Sequence, residues 1–362
     1  MKLWKHLFAK RRKPRDPQTP QLTRWQADAL ARSSVPPGAP SYALLDEMQR
    51  DAMVQTALTL KRLGVLAAPW RVAEPDASPE AARRTRFVRE AFARMEGSPT
   101  GVLDAAMDAF AKGWSVQELV FEEDAGAVWL RAARPKDPAL FGLDVDRFGR
   151  IQGLILRLPG EPDRRVPVGK FALYVHRPTY ARPTGRSDLE AALPHWQAKR
   201  ALLEAWRLHL ERFASPTVTG RFDPGLPPEE QAALLEALQN LHRNLALVFP
   251  NQIEVGTIGG DKESSSGFLE AVDFHNREIA RAILGQTLTT DEGRRVGSMA
   301  LGKVHFQVLL LQLEAIRRDL ADTVMTEQII RPLVELNFGP GPVPRFEFEP
   351  LALGPFATGT VA

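Results

Sequence analysis

The densest grouping of chemically capable side chains spans residues 283–301, ILGQTLTTDEGRRVGSMAL. Gln286, Thr287, Thr289, Thr290 and Ser298 bring hydrogen-bonding groups, and Asp291 and Glu292 precede Arg294 and Arg295. Gly285, Gly293 and Gly297 leave the backbone free to turn. Hydroxyls, guanidiniums and uncovered amides hold phosphate oxygens without reading bases. An ordinary polar turn between two antiparallel helices has the same composition, so residue chemistry leaves both readings open. No nucleophile–base pair accompanies these residues, and the segment reads as one that positions or binds rather than reacts.

Two acidic groupings are the other candidates. Asp144 and Asp146, in LDVDRFGR, stand one residue apart and could share a divalent cation; a polar strand or turn before Gly149 is the plainer reading. Glu122, Glu123 and Asp124 form an acidic run with the character of a solvated turn. A metal-dependent DNA-processing enzyme using Glu122, Asp144 and Asp146 is the catalytic alternative. The seven histidines are scattered, none at metal-ligand spacing from another, and His275 and His305 lie on helical patterns where a structural or surface role is expected. The chain has no GxxxxGK[ST], HExxH, CxxC or GxSxG. No catalytic residue, metal or cofactor is therefore expected, although dispersed catalytic groups escape such a search. Absence of cysteine excludes disulfides, thiolate zinc sites and a cysteine nucleophile.

Composition sets the frame around these groups. With 362 residues, 44% hydrophobic and 25% charged, the chain can bury a sizeable core and hold more than one domain. A net charge of +3 is too small to argue for nucleic acid by itself. No apolar run reaches the length of a membrane span. The start, MKLWKHLFAKRRKPR, is basic and lacks the continuous apolar region of a secretory signal. Residues 1–41 read as a flexible basic arm, either a solvated tail or a contact for DNA, a membrane surface or a neighbouring protein.

The elements that must position the 283–301 segment follow from periodicity. Helices are expected over 42–63, 78–95 and 101–112, with a short strand around Trp70 and Val72. Strands are expected over 115–122, 128–132, 140–143, 151–158 and 171–176, so 42–186 is an α+β domain. From 187 the pattern is helical to 213, with Ser187 and Glu190 at capping-box spacing and Pro194 a potential kink. An insert over 214–265 combines strands at 216–222, 245–249 and 253–258, a helix from 227 or 228 to 241, and the loop GGDKESSSG. A helix over 268–284 leads into the polar segment. A helical pattern over 301–337 leads out, about 55 Å long at 1.5 Å per residue. Its heptad-like stripe is Leu301, Val304, Val308, Leu311 and Ala315, continuing through Leu320, Val324 and Ile329, and Pro332 should bend it. A helix of that length suggests a spine in an extended or oligomeric subunit. A last strand is expected at 345–349.

Several segments in order, GRSDLEAALPHW, LERFASPTVTGRF, LGQTLTTDEGRRVGSMAL and VELNFG, resemble the portal proteins of tailed bacteriophages, the Mu-like portal family above all. GWSVQELVFE resembles the portal G-[FWY]-S-x-x-E segment, and Asp51, Val54, Leu58, Arg62 and Trp70 fall where portals carry a helix leading into a W-x-V strand. The resemblance covers about residues 42 to 350.

The resemblance implies an α+β portal fold and a homo-oligomeric ring, about twelve subunits around a channel. It implies a wing at 42–186 with the long helix 301–337, and stem helices at 187–213 and 266–284. It further implies a clip at 214–265 and a tunnel loop at 285–300, with 338–362 as a short C-terminal strand and tail. Little follows Asn337, so a substantial crown is not expected. The implied partners are double-stranded DNA bound without sequence specificity, the large terminase subunit, a head–tail adaptor, and the major capsid and scaffolding proteins, with no membrane. The implied location is the portal vertex of the virion, with host cytoplasm during assembly. Another head-completion or adaptor protein is the nearer alternative.

Overall fold

The computed structural model describes residues 22–35, 38–148, 150–179, 182–213, 217–222, 225, 227–239, 253–258, 264–285 and 299–350. The chain divides into two compact units, residues 1–191 with 282–362, and residues 192–281.

The first unit begins with α1 (Arg24–Arg32), α2 (Tyr42–Met48) and α3 (Ala52–Leu66). Residues 24–32 depart from the expected flexible arm. A capping box of Thr23 and Gln26 starts α1, Leu22 and Leu30 are buried, and Arg157 donates to the carbonyls of Ala31 and Arg32 at its end. The single helix expected over 42–63 is two, because Asp51 caps α3, its carboxylate accepting from the Met53 and Val54 amides at 2.9 and 3.3 Å. The short strand β1 (Trp70–Ala73) leads to α4 (Pro79–Arg94), capped by Ser78, then to α5 (Pro99–Ala106) and α6 (Ala109–Lys112).

Two three-stranded antiparallel sheets follow. The strands β2 (Trp114–Asp124), β3 (Ala127–Lys136), β4 (Phe141–Val145), β5 (Ile151–Leu156), β6 (Arg164–Pro167) and β7 (Phe171–Val175) pair in the orders β3-β2-β7 and β4-β5-β6. Ala125 and Gly126, both at positive φ, close the two-residue β2–β3 turn. The strand β6, RRVP, carries no apolar alternation, which is why periodicity passes over it. Trp114, Phe110, Leu103, Met107 and Met48 lie at the centre of the core; the Trp114 indole donates to the Tyr42 hydroxyl at 2.7 Å.

The chain passes into the second unit along α7 (Leu189–Phe213). Ser187 and Glu190 do not form the expected capping box. The Ser187 hydroxyl accepts from the Leu189 amide and donates to the Ala111 carbonyl, while Glu190 pairs with Arg182. In the second unit, β8 (Thr217–Phe222) and β9 (Ile253–Ile258) pair antiparallel, and α8 (Pro228–Gln239) contacts β8. The strand expected at 245–249 lies outside the described residues. The helix α9 (Ser264–Leu284) starts earlier than its apolar pattern, taking in part of the serine-rich loop.

Back in the first unit, α10 (Met299–Asp319) runs into wider, π-type turns over Leu320–Ile330 and then α11 (Arg331–Phe338). The departure from α geometry therefore precedes Pro332. A proline ring clashes with the carbonyl four residues back, and widening the turn ahead of it relieves that clash. The Gln328 amide brackets the backbone of Leu173 on β7, accepting at 2.7 Å and donating at 2.8 Å, which holds the widened segment in place. The expected stripe holds in its later part, where Leu320, Val324 and Ile329 are buried, and is corrected in its earlier part: Val308, Leu311 and Ala315 are exposed, and Leu313 and Arg317 take the inward face, while the side chains of Leu301 and Val304 lie outside the described residues. The strand β10 (Arg345–Phe348) pairs with β1.

Candidate functional site

In sequence the polar segment runs from the end of α9 to the start of α10. Gly285 ends α9 at φ 74°, a left-handed conformation, and a Cβ there would lie 2.8 Å from the Gln312 side-chain nitrogen on α10. The left-handed backbone is what favours glycine at this exit, since the end of the Gln312 side chain can shift aside. Gln286, Thr287, Thr289, Thr290, Asp291, Glu292, Arg294, Arg295 and Ser298, the candidate phosphate contacts, lie outside the described residues.

A buried charge cluster lies in the first unit, where α7 begins. Asp188 is fully buried; Lys61 Nζ approaches it at 2.5 Å, Arg177 at 2.9 Å and His176 Nε2 at 3.1 Å. Burial alone would raise the Asp188 carboxyl, but the His176 hydrogen bond and the Lys61 and Arg177 charges prevail and hold it below the usual range. Burial depresses Lys61 and His176, with Asp188 opposing it in both. Asp188 ionised, Lys61 charged and His176 neutral satisfy these contacts with the fewest buried charges. Arg177 sits at φ 49°, at a cost of about 1–2 kcal/mol for a side chain in that region. Beside the cluster, Tyr174, Gln312 and Asp319 help line a cleft of about 330 Å³. Burial raises both Tyr174 and Asp319, and the Asp319 charge adds to the rise of Tyr174.

The acidic candidates separate. Asp144 on β4 pairs with Arg165 at 2.9 Å. Asp146 closes a turn, accepting from the Phe148 and Arg150 amides at 2.8 and 3.0 Å, and the latter bond leads the lowering of its pKa. Glu122 lies on β2, in the other sheet, facing Arg131. Among the described residues no group of three or more His, Asp or Glu side chains is placed to hold a metal ion. No described helix is long and apolar enough to cross a membrane.

A family model described as the portal protein of Mu bacteriophage matches residues 42–352. The chain belongs to the Mu portal family. The Mu-like prophage FluMu protein gp29 of Haemophilus influenzae is 27% identical over 316 residues, 84% of this chain and 59% of that protein. The portal protein of Escherichia phage Mu is 26% identical over 302 residues, 81% of this chain and 56% of its own length. This Mu-family chain thus spans less than three-fifths of each of these relatives. A chain from the neck of a native gene transfer agent (GTA) particle, computed with C12 symmetry, superposes at TM-score 0.64 with 15% identity, covering 92% of this chain and 90% of that one. Another, from an empty particle computed with C6 symmetry, gives 0.63 at 16% identity, covering 90% and 93%. At such identity the likeness is one of fold.

Three clusters in this Mu-family chain have no sequence signature. Asp188, Lys61 and His176 meet across 127 and 12 positions of sequence. Arg84 on α4 is buried and reaches the carbonyls of Phe338, Gly339, Pro340 and Pro342 besides Glu80. In the second unit His195 on α7 and His275 on α9 meet Nδ1 to Nδ1 at 3.1 Å, although 80 residues separate them. No histidine spacing predicts that last contact, and burial followed by the His195 charge keeps His275 below the ordinary histidine range.

Proposed function

We propose that the chain is a portal subunit that assembles into a homo-oligomeric ring at the capsid vertex and forms the channel for DNA packaging and ejection. The observation that carries this reading is the family match across residues 42–352, which takes in both units. The wing is 42–186 with the long helix 301–337, the stem helices are 187–213 and 266–284, the clip is 214–265, and the tunnel loop is 285–300. The division of the chain near residues 192 and 281 supports a stem and clip distinct from the wing.

The physical chemistry agrees with this role. DNA must slide, so base-specific grip would hinder it; threonines and a few arginines repeated around a pore give weak, salt-sensitive contact with any sequence. The chain carries no P-loop, and packaging energy belongs to a separate terminase motor docked at the clip. The head–tail adaptor and the major capsid and scaffolding proteins are the other partners, met in host cytoplasm during assembly and at the virion's portal vertex afterwards. The protein acts as a conduit rather than an enzyme. The nuclease alternative loses its basis where Asp144 and Asp146 are committed to an ion pair and a turn.

Native mass spectrometry of the purified full chain tests the reading. A closed species of about twelve subunits is expected for such a ring. Monomers persisting at high concentration would overturn it.

A further inference from the structure

Every exposed residue of α3 is uncharged: Ala52, Gln55, Thr56, Thr59, Leu60 and Leu63. Leu60 and Leu63 stand 41% and 58% exposed. A lone surface helix normally turns its charges to water. Here the two charged residues of α3 are spent on other contacts, Lys61 with the buried Asp188 and Arg62 with Asp108. The helix α10 packs against α3, Leu313 meeting Gly64 and Arg317 donating to the carbonyls of Gly64 and Val65. It adds Val308 and Leu311, 46% and 71% exposed.

We infer that this α3–α10 face is the seat of a neighbouring copy of the chain. The inference rests on the ring reading and assigns one of the two faces that a closed ring requires. Three physical points select that occupant. DNA would be met by lysine and arginine; the exposed residues of α3 include neither, and its part-buried Arg62 is paired with Asp108. A partner that docks and departs meets a surface about as polar as the rest, whereas permanent homo-oligomer contacts are more apolar and poor in charge. The scale also fits: α3 is about 22 Å long and a helix about 10 Å across, so α3 and the adjoining part of α10 present several hundred square ångströms, comparable with one side of a standard interface of about 800 Å² per partner.

The chain contains no cysteine, so single thiols report without background. Leu63→Cys in the full-length protein is labelled with a maleimide, its rate compared with that of a short thiol peptide, while native mass spectrometry records the assembly state. The expected result is a ring in which Leu63→Cys reacts at least about tenfold more slowly than the peptide, as water-excluding interface packing requires. A second variant, Leu63→Arg, should keep its far-ultraviolet circular dichroism and fail to form rings. Rings that label at the peptide's rate, or that form normally with Leu63→Arg, overturn the inference and leave the ring reading standing. A wild-type chain that forms no ring overturns both.

Discussion

Asp188 carries the clearest prediction at the scale of single residues. Its carboxylate is fully buried against Lys61 and His176, with the half-exposed Arg177 guanidinium beside it, so Asp188→Asn leaves the Lys61 charge buried without its counter-ion. Breaking a buried pair on one side costs about 3–5 kcal/mol, and the urea midpoint should fall accordingly. Lys61→Met with Asp188→Leu should recover much of that loss, since apolar replacement of both partners is often neutral. The pH dependence has a definite sign. His176 lies below its unfolded value, so the unfolded chain takes up a proton that the folded one refuses; stability is complete above about pH 6.5 and falls as pH drops through the window below it. Asp188 is depressed as well, so its contribution is present above the ordinary carboxylate range and is lost at lower pH, through its folded value. Thermal melts from pH 7.5 to 5 should therefore show a falling midpoint, with a shallower slope in His176→Asn. No sequence pattern revealed this cluster, because its members come from α3, the residues after β7 and the start of α7, and only the fold brings them together.

Elements were legible in proportion to their periodicity. Strands β2, β3, β4, β5 and β7 and helices α4 and α7 announced themselves through alternation or a 3.6-residue repeat. The strand β6 did not, having two arginines and a proline in four residues. The helix α1 was hidden inside a basic, proline-rich stretch, although Thr23 and Gln26 carry a capping-box spacing that marks its start. Its seat depends on Gly142, where a Cβ would overlap the Ala31 carbonyl oxygen. Gly142→Val should therefore displace α1 while leaving the β4-β5-β6 sheet folded, and limited trypsin digestion should then cut at Arg24 or Arg32 far sooner than in the parent protein. The stripe on α10 misled for a different reason: Val308, Leu311 and Ala315 have core-like spacing yet face outward, as a helix does when its apolar face belongs to an assembly. The polar segment between α9 and α10 lies outside the described residues, and its chemistry rests on the sequence alone. If Arg294 and Arg295 touch sliding DNA, changing both to Ala should leave rings intact and weaken DNA packaging or retention, each lost phosphate contact lowering the salt dependence of DNA binding by about 0.9 in log–log slope. Failure to assemble would instead make the two arginines structural.

At the scale of the whole molecule, a unit with three small sheets and a long helix is joined through α7 and α9 to a unit containing a two-stranded sheet. Family membership was readable from ordered short motifs because these combine turn chemistry, strand alternation and helix caps that no single property reproduces. The assembly is not a property of one chain. The proposed ring would cover surfaces that a lone subunit exposes at a cost, among them Leu60 and Leu63 on α3 and Val308 and Leu311 on α10. The central claim is that these surfaces close into a ring around a channel wide enough for DNA. Electron microscopy of the purified full-length protein, classified without imposed symmetry, tests it most directly. The account expects closed rings of about twelve copies with an axial hole wider than the roughly 20 Å of duplex DNA, closure following from repeated heterologous contact. Single subunits, open filaments or rings with a blocked centre would contradict it.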